Sequence, residues 1–254
     1  MGDVLLTTPI IRALKDQGHK VEVITDYHSV IGNDIRNFQE KPSVGYYKVI
    51  DLDAMMYESK HRTHLVDAFA DHAGVRTDHV LTRPIFIPNA AEVGDGCSIV
   101  IATAKSSWRG KDYPHWHKVS QELVKLPFVT VFWVGLRDPK DKDAPHNVID
   151  LRGDFGASGL CRNIAAADLF IGCDSLPAHL ASAYNTPSIT LWGITSPKYL
   201  SCHQGPHICI EGTGRTAGAR HDERVTRLDV NDDSAIRTIQ PERVVEAARQ
   251  MLSL

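Results

Sequence analysis

A chain of 254 residues with 43% hydrophobic content can form one large or two modest domains with sizeable cores. Its net charge of −3 supplies no global basic field, which argues against a protein that lives mainly on nucleic-acid phosphate, and no stable nucleic-acid binding is expected. No apolar run approaches the roughly 18 residues of a membrane span and no signal-peptide pattern opens the chain, so the expectation is a cytoplasmic protein with room for peripheral contact at the inner membrane surface.

The first element read from the residues is a helix, with Thr8 as its cap and Pro9 at its first position. Ile10, Ile11 and Leu14 recur at helical spacing, Gly18 ends the helix, and a strand is expected over Val21 to Thr25. Further on, His61 and His64 read as one polar helix face near a cleft. Pro88 to Gly96, rich in small and turn residues, reads as a linker that closes a first half near Ile87. A second alternating unit starts near Cys97, with strands expected over Ile99–Ala102, Val129–Val134, Leu169–Cys173 and Ser188–Trp192. Between the first two of these lies a Ser/Lys-rich loop before a helix opening near Pro114. A lysine fixed there, Lys111, can neutralise a diphosphate, and the Ser106 and Ser107 hydroxyls can bond its oxygens, with Lys105 and Arg109 as further cations. Taken alone, the same loop reads better as a solvated basic surface than as a ligand site.

The stretch from Ala166 to Pro197 carries the most chemistry. An apolar run stops at Asp174 and Ser175, and Pro177 suits the first turn of a helix whose amide groups would point back at that turn and attract a phosphate. Asp174 can accept from a ribose or from backbone amides, Ser175 can bond a phosphate oxygen, and His179 lies within about a turn of both. An Asp-Ser pair before a helix is also an ordinary cap. Beyond it, the Cys202–Cys209 segment holds two Cys and two His at a spacing that matches no standard zinc site, and no metal is assigned. The five cysteines are odd in number, scattered and without a C-x-x-C pair, which suggests reduced thiols. Gly212 to Gly218 has the wrong glycine spacing for a dinucleotide loop, and there is no Walker loop, nucleophile elbow or H-E-x-x-H helix. A closing helix with Pro241 and Glu242 at its start presents Val244, Val245, Ala248 and Leu252 on one face.

Several of these motifs together resemble glycosyltransferase family 9, the heptosyltransferases of lipopolysaccharide core synthesis. Asp-Ser-x-Pro-x-His from Asp174 to His179, followed by Thr-Pro and then Gly-x-Thr-x-Pro at Gly193, Thr195 and Pro197, is similar to the family's donor-binding segment. Lys111, Tyr113 and Pro114 match its lysine-x-aromatic-Pro signature, and Gly2–Asp3 its Gly-Asp pair. Ile50 to Val75, ending near Gly74, is similar to its aspartate-leucine strand end and following helix, and the Pro-Glu start at Pro241 to its closing helix.

The resemblance implies an α/β protein of GT-B architecture, two Rossmann-like domains with parallel sheets facing across a cleft. Residues 1–88 would form the acceptor side and 97–240 the donor side, with helix 241–254 crossing back onto the first domain. It implies a metal-independent inverting transferase that needs no cofactor, takes a nucleotide-sugar donor, ADP-heptose foremost, and passes the sugar to a hydroxyl of a glycan or glycolipid acceptor. Asp3 would act as base toward the acceptor. Lys111, Ser106, Ser107 and the helix start after Asp174 would stabilise the leaving diphosphate, while Asp174, Ser175, His179 and Thr195 hold the donor and a residue just beyond Gly135 meets the adenosine. Two departures stand out: only Met1 precedes the Gly-Asp pair where the family has a buried strand, and Leu176 stands where it has glycine, which would crowd the backbone approach to phosphate. The alternatives are a degenerate nucleotide-sugar-binding protein, or a transferase of this fold with another glycan or a modified nucleobase as acceptor.

Overall fold

The computed structural model describes residues 2–23, 25, 50–52, 63–84, 96–103, 108–139, 142–154, 156–214 and 230–254. Chain order begins with helices α1 (Gly2–Leu6), α2 (Thr8–Asp16) and α3 (Leu65–Ala73), followed by strand β1 (Cys97–Ala102) and a single 3₁₀ turn at Arg109–Lys111. Then come α4 (Trp116–Leu123), β2 (Val129–Val134), β3 (Val148–Asp150), α5 (Ala157–Ala166), β4 (Leu169–Cys173) and α6 (Leu176–Tyr184). The chain closes with β5 (Ser188–Trp192), α7 (Pro197–Leu200), β6 (His207–Glu211), α8 (Ser234–Arg237) and α9 (Pro241–Leu252).

The six strands among the described residues pair in parallel in the order β3-β2-β1-β4-β5-β6. The order reverses between β1 and β4, which opens a crevice outside their carboxyl ends. Every residue of β4 and β5 is buried, as near-continuous apolar runs covered on both faces require. Alternation along the strands then sorts the side chains into two cores. Ile99, Ile101, Leu169, Ile171, Ile189 and Leu191 pack with Trp116 and Val119 of α4 and Val244 and Ala248 of α9. On the other face Val100, Phe170 and Trp192 pack with Ile164 of α5 and Leu180 of α6, and also with Leu5, Leu6 and Phe69 of the N-terminal helices.

The four strands expected in the second unit stand where the patterning put them. The N-terminal half departs from expectation, because every strand among the described residues comes from 97–211. Gly2–Leu6 is helical, ahead of the Thr8 cap where the first helix was expected to begin, and Val21–Val23 is not a strand but packs on Ile11. An extended segment needs neighbours for its amides and carbonyls, and no strand lies beside this one among the described residues. Thr8 sits inside the helix rather than capping it: its hydroxyl donates to the Leu5 carbonyl at 2.8 Å and accepts from the Thr82 amide at 3.0 Å. Gly18 does end the helix, at φ 84°. His64 is not on a helix face but at the N-cap of α3, which Gly74 closes at φ 74°; His61 lies outside the described residues. The expected linker also lies outside them except at Gly96, which leads into β1. Among the described residues, helix α9 lies on α4, β4 and β5. Its buried Val244, Val245 and Ala248 form the face read from the sequence, and they are satisfied by the sheet that precedes them.

Candidate functional site

The crevice where the strand order reverses is built by the ends of β1, β4 and β5. Asp174 follows the last residue of β4 and is 3% exposed. Its Oδ2 receives two donors, Lys111 Nζ at 2.7 Å and the Thr195 hydroxyl at 2.7 Å. His179, one turn into α6, places Nε2 3.7 Å from Oδ1, beyond hydrogen-bond reach. Burial pushes the Asp174 carboxyl up, but the Lys111 ammonium, the nearby His179 and the Thr195 hydroxyl outweigh it and hold the group below the usual carboxylate range. Burial dominates at His179 and lowers it, against the pull of Asp174 and Asp3, so the ring is neutral near pH 7.

Lys111 is brought here by the 3₁₀ turn after β1. Its ammonium also lies 4.8 Å from the centre of the Trp108 ring. Lys111 is therefore already paired with Asp174, and any anion entering the crevice meets a shared charge. Thr195, expected to touch the donor, is completely buried and serves as the support beneath Asp174. Ser175 stands at the N-cap of α6 in extended conformation, but its hydroxyl turns back to the Cys173 carbonyl at 3.1 Å and caps no amide. The side chain of Leu176 packs on Ile11 of α2, which accounts for a leucine at this position.

Asp3 reaches the same region through α1, which packs along α6. A Cβ placed on Gly2 would lie 3.1 Å from His179 Cδ2 and 3.6 Å from the Leu176 amide nitrogen, so the helix approaches the start of α6 at van der Waals distance. Gly135 follows β2 with φ 120° and accepts from the Gly153 amide at 2.9 Å; the next residue, Leu136, is 81% exposed. Ser106, Ser107 and Lys105 lie outside the described residues. Arg109 faces Asp233 at 3.5 Å rather than Asp174.

Trp108 and Gly110, on either side of Arg109 in the lysine turn, were not singled out by sequence reasoning. A glycine immediately before the lysine was the available signal. Among the described residues no group of three or more His, Cys, Asp or Glu side chains is placed to hold a metal ion. In the Cys202–Cys209 segment, Cys202 is buried and His203 Nδ1 is 3.1 Å from the Ser188 hydroxyl.

Residues 88–213 match the model of Glycosyltransferase family 9 (heptosyltransferase). Lipooligosaccharide heptosyltransferase 2 of Campylobacter jejuni is 28% identical over 101 residues, 37% of this chain and 28% of that protein. The iron-containing dodecameric glycosyltransferase TibC of enterotoxigenic E. coli H10407 superposes with a TM-score of 0.72 at 17% identity, covering 100% of this chain and 76% of TibC. A TibC structure in complex with ADP-D-beta-D-heptose gives 0.74 at 14% identity, covering 99% and 74%. ADP-heptose LPS heptosyltransferase II of E. coli gives 0.56 at 17% identity, covering 75% of this chain and 62% of that enzyme. At these identities the solved structures establish a shared GT-B fold. The matches span less than two thirds of the Campylobacter protein and of the E. coli heptosyltransferase II.

Proposed function

Because the chain belongs to glycosyltransferase family 9 through residues 88–213, we propose that it moves a sugar, foremost heptose from ADP-heptose, onto a hydroxyl of a lipopolysaccharide-core-like glycan in the cytoplasm, in peripheral contact with the membrane face. The observation that carries this reading is the Asp174–Lys111–Thr195 cluster beside the start of α6, at the crevice where open parallel sheets bind their ligands. A crystal structure of the fold relative TibC contains ADP-D-beta-D-heptose, which supports the donor class.

In the proposed reaction the acceptor oxygen attacks the anomeric carbon as the bond from that carbon to the diphosphate breaks, with inversion and no covalent intermediate. Asp3 takes the hydroxyl proton. Lys111 turns part of its charge from Asp174 to the leaving diphosphate, together with Ser106, Ser107 and the amide end of α6. Asp174 keeps the lysine in place when the donor is absent, and the neutral His179 is available as a hydrogen-bond partner for the donor. Gly135 and the residue after it would meet the adenosine.

The test is release of nucleoside diphosphate from ADP-heptose, with UDP- and GDP-sugars alongside, in the presence and absence of a heptose- or Kdo-bearing core acceptor. Acceptor-dependent ADP release is expected. Binding of ADP-heptose with no release under any acceptor would replace the transferase reading with that of a nucleotide-sugar-binding protein. Such a result would fit Asp3 lying in a helix rather than a loop.

A further inference from the structure

Lys111 owes its position to a backbone contact in which two glycines face each other. The Gly110 amide donates to the Val230 carbonyl at 2.9 Å, and the Gly110 carbonyl accepts from the Ile194 amide at 3.4 Å. A Cβ on Gly193 would lie 2.5 Å from that same carbonyl oxygen and 2.8 Å from Cβ of Ile236. Neither distance is open to real atoms, and Ile236 is fully buried and cannot withdraw. Neither glycine has positive φ, so the missing side chain at residue 193 is required by proximity and not by backbone conformation. Any side chain there must push the Gly110 carbonyl away, and the next peptide unit along belongs to Lys111.

We infer that Gly193 is a positioning residue for Lys111: by lacking a side chain it lets the lysine turn seat on the β5 end, which sets the ammonium 2.7 Å from Asp174 and facing the crevice. The inference rests on the reading of Lys111 as the diphosphate-binding cation. It adds that Gly193, which need not touch the ligand, sets the ligand's affinity through the backbone of its neighbour.

The experiment is a double-mutant cycle on the full chain, with ADP as the probe and affinity read by titration calorimetry. Gly193→Ala is expected to weaken ADP about tenfold, the scale of loss that displacing a charged contact by a fraction of an ångström produces. Lys111→Met weakens it too, and Gly193→Ala/Lys111→Met is no weaker than Lys111→Met alone, because both changes remove the same contact. Additive losses would overturn the inference while leaving the role of Lys111 intact. No effect of Lys111→Met on ADP would overturn both the role of Lys111 and the inference built on it. Melting temperatures identify the folded variants. Gly110→Ala, whose Cβ would press on the Asp232 carbonyl at 2.9 Å, replaces Gly193→Ala if that protein does not fold. If Lys111→Met does not fold, Asp174→Asn is carried in every arm of the cycle, which removes the stranded carboxylate, with the same non-additivity expected.

Discussion

Asp174 holds a negative charge at 3% exposure, and the structure tolerates it because Lys111 and Thr195 converge on one of its oxygens. A buried ion pair adds little net stability, but removing one member strands the other, at a cost of about 3–5 kcal/mol. Lys111→Met is therefore expected to lose several kcal/mol in denaturant unfolding, and the added change Asp174→Asn to recover most of it. Equal destabilisation of the single and double variants would show that the pair is not the source. Thr195→Val keeps the shape and deletes the donor; a hydrogen bond to a charged group contributes about 1.5–3 kcal/mol, so a loss in that range is expected by the same measurement. A silent Thr195→Val would mean that Lys111 alone satisfies Asp174. The residue types at this site were legible from the motif, whereas their wiring was not. Asp174 and Lys111 are far apart in sequence, and only the parallel pairing of β1 with β4 puts one beside the other. Ser175 shows the converse: its cap position was legible, but the alternative acceptor at Cys173 was not.

At the scale of elements, α3 is held to the end of α7 through its N-cap. His64 Nδ1 accepts from the Val66 amide at 3.2 Å while Nε2 donates to the Ser201 carbonyl at 3.0 Å, and the ring stacks on His79 with centres 4.0 Å apart. The Val66 contact requires the neutral ring, since protonation would place a hydrogen on Nδ1 where the amide must donate. Burial, with the neighbouring His79, lowers this group to about 4 from its ordinary 6.5. The folded state thus binds its proton only at lower pH than the unfolded chain does. Its contribution is complete above the unfolded value near 6.5 and is lost as pH falls toward 4. Between pH 7.5 and 5 the loss from this group is about 2 kcal/mol. His64→Asn keeps an N-cap acceptor without a titrating ring and is expected to flatten that part of the pH dependence in urea unfolding at the two pH values. An unchanged slope would assign the acid sensitivity elsewhere, with His203, lowered to about 3 by burial and by His207, next in line.

Over the whole molecule, the N-terminal helices are not an independent unit. Leu5, Leu6 and Phe69 share one core with Phe170 and Trp192 of the sheet, so the described parts of both halves should unfold together. Phe69→Ala is expected to cost about 3–5 kcal/mol and to shift a single transition, with circular dichroism and tryptophan fluorescence coinciding. A first transition confined to helical signal would show that α1–α3 melt apart from the sheet. The sequence by itself determined the parallel-sheet domain. Fully buried strands are written as continuous apolar runs and helices as 3.6-residue stripes, and both signals are local. It also determined which residue types would meet a charged ligand. Only the tertiary structure decided what each one touches: that Lys111 pairs with Asp174, that Thr195 lies beneath the site, that α9 packs on the sheet, and that Val21–Val23 forms no strand. The physical reason is the range of the interactions. A helix needs only its own amides and carbonyls, whereas strand pairing, buried charges and the closest backbone contacts depend on partners tens of residues away, supplied by the assembled sheet.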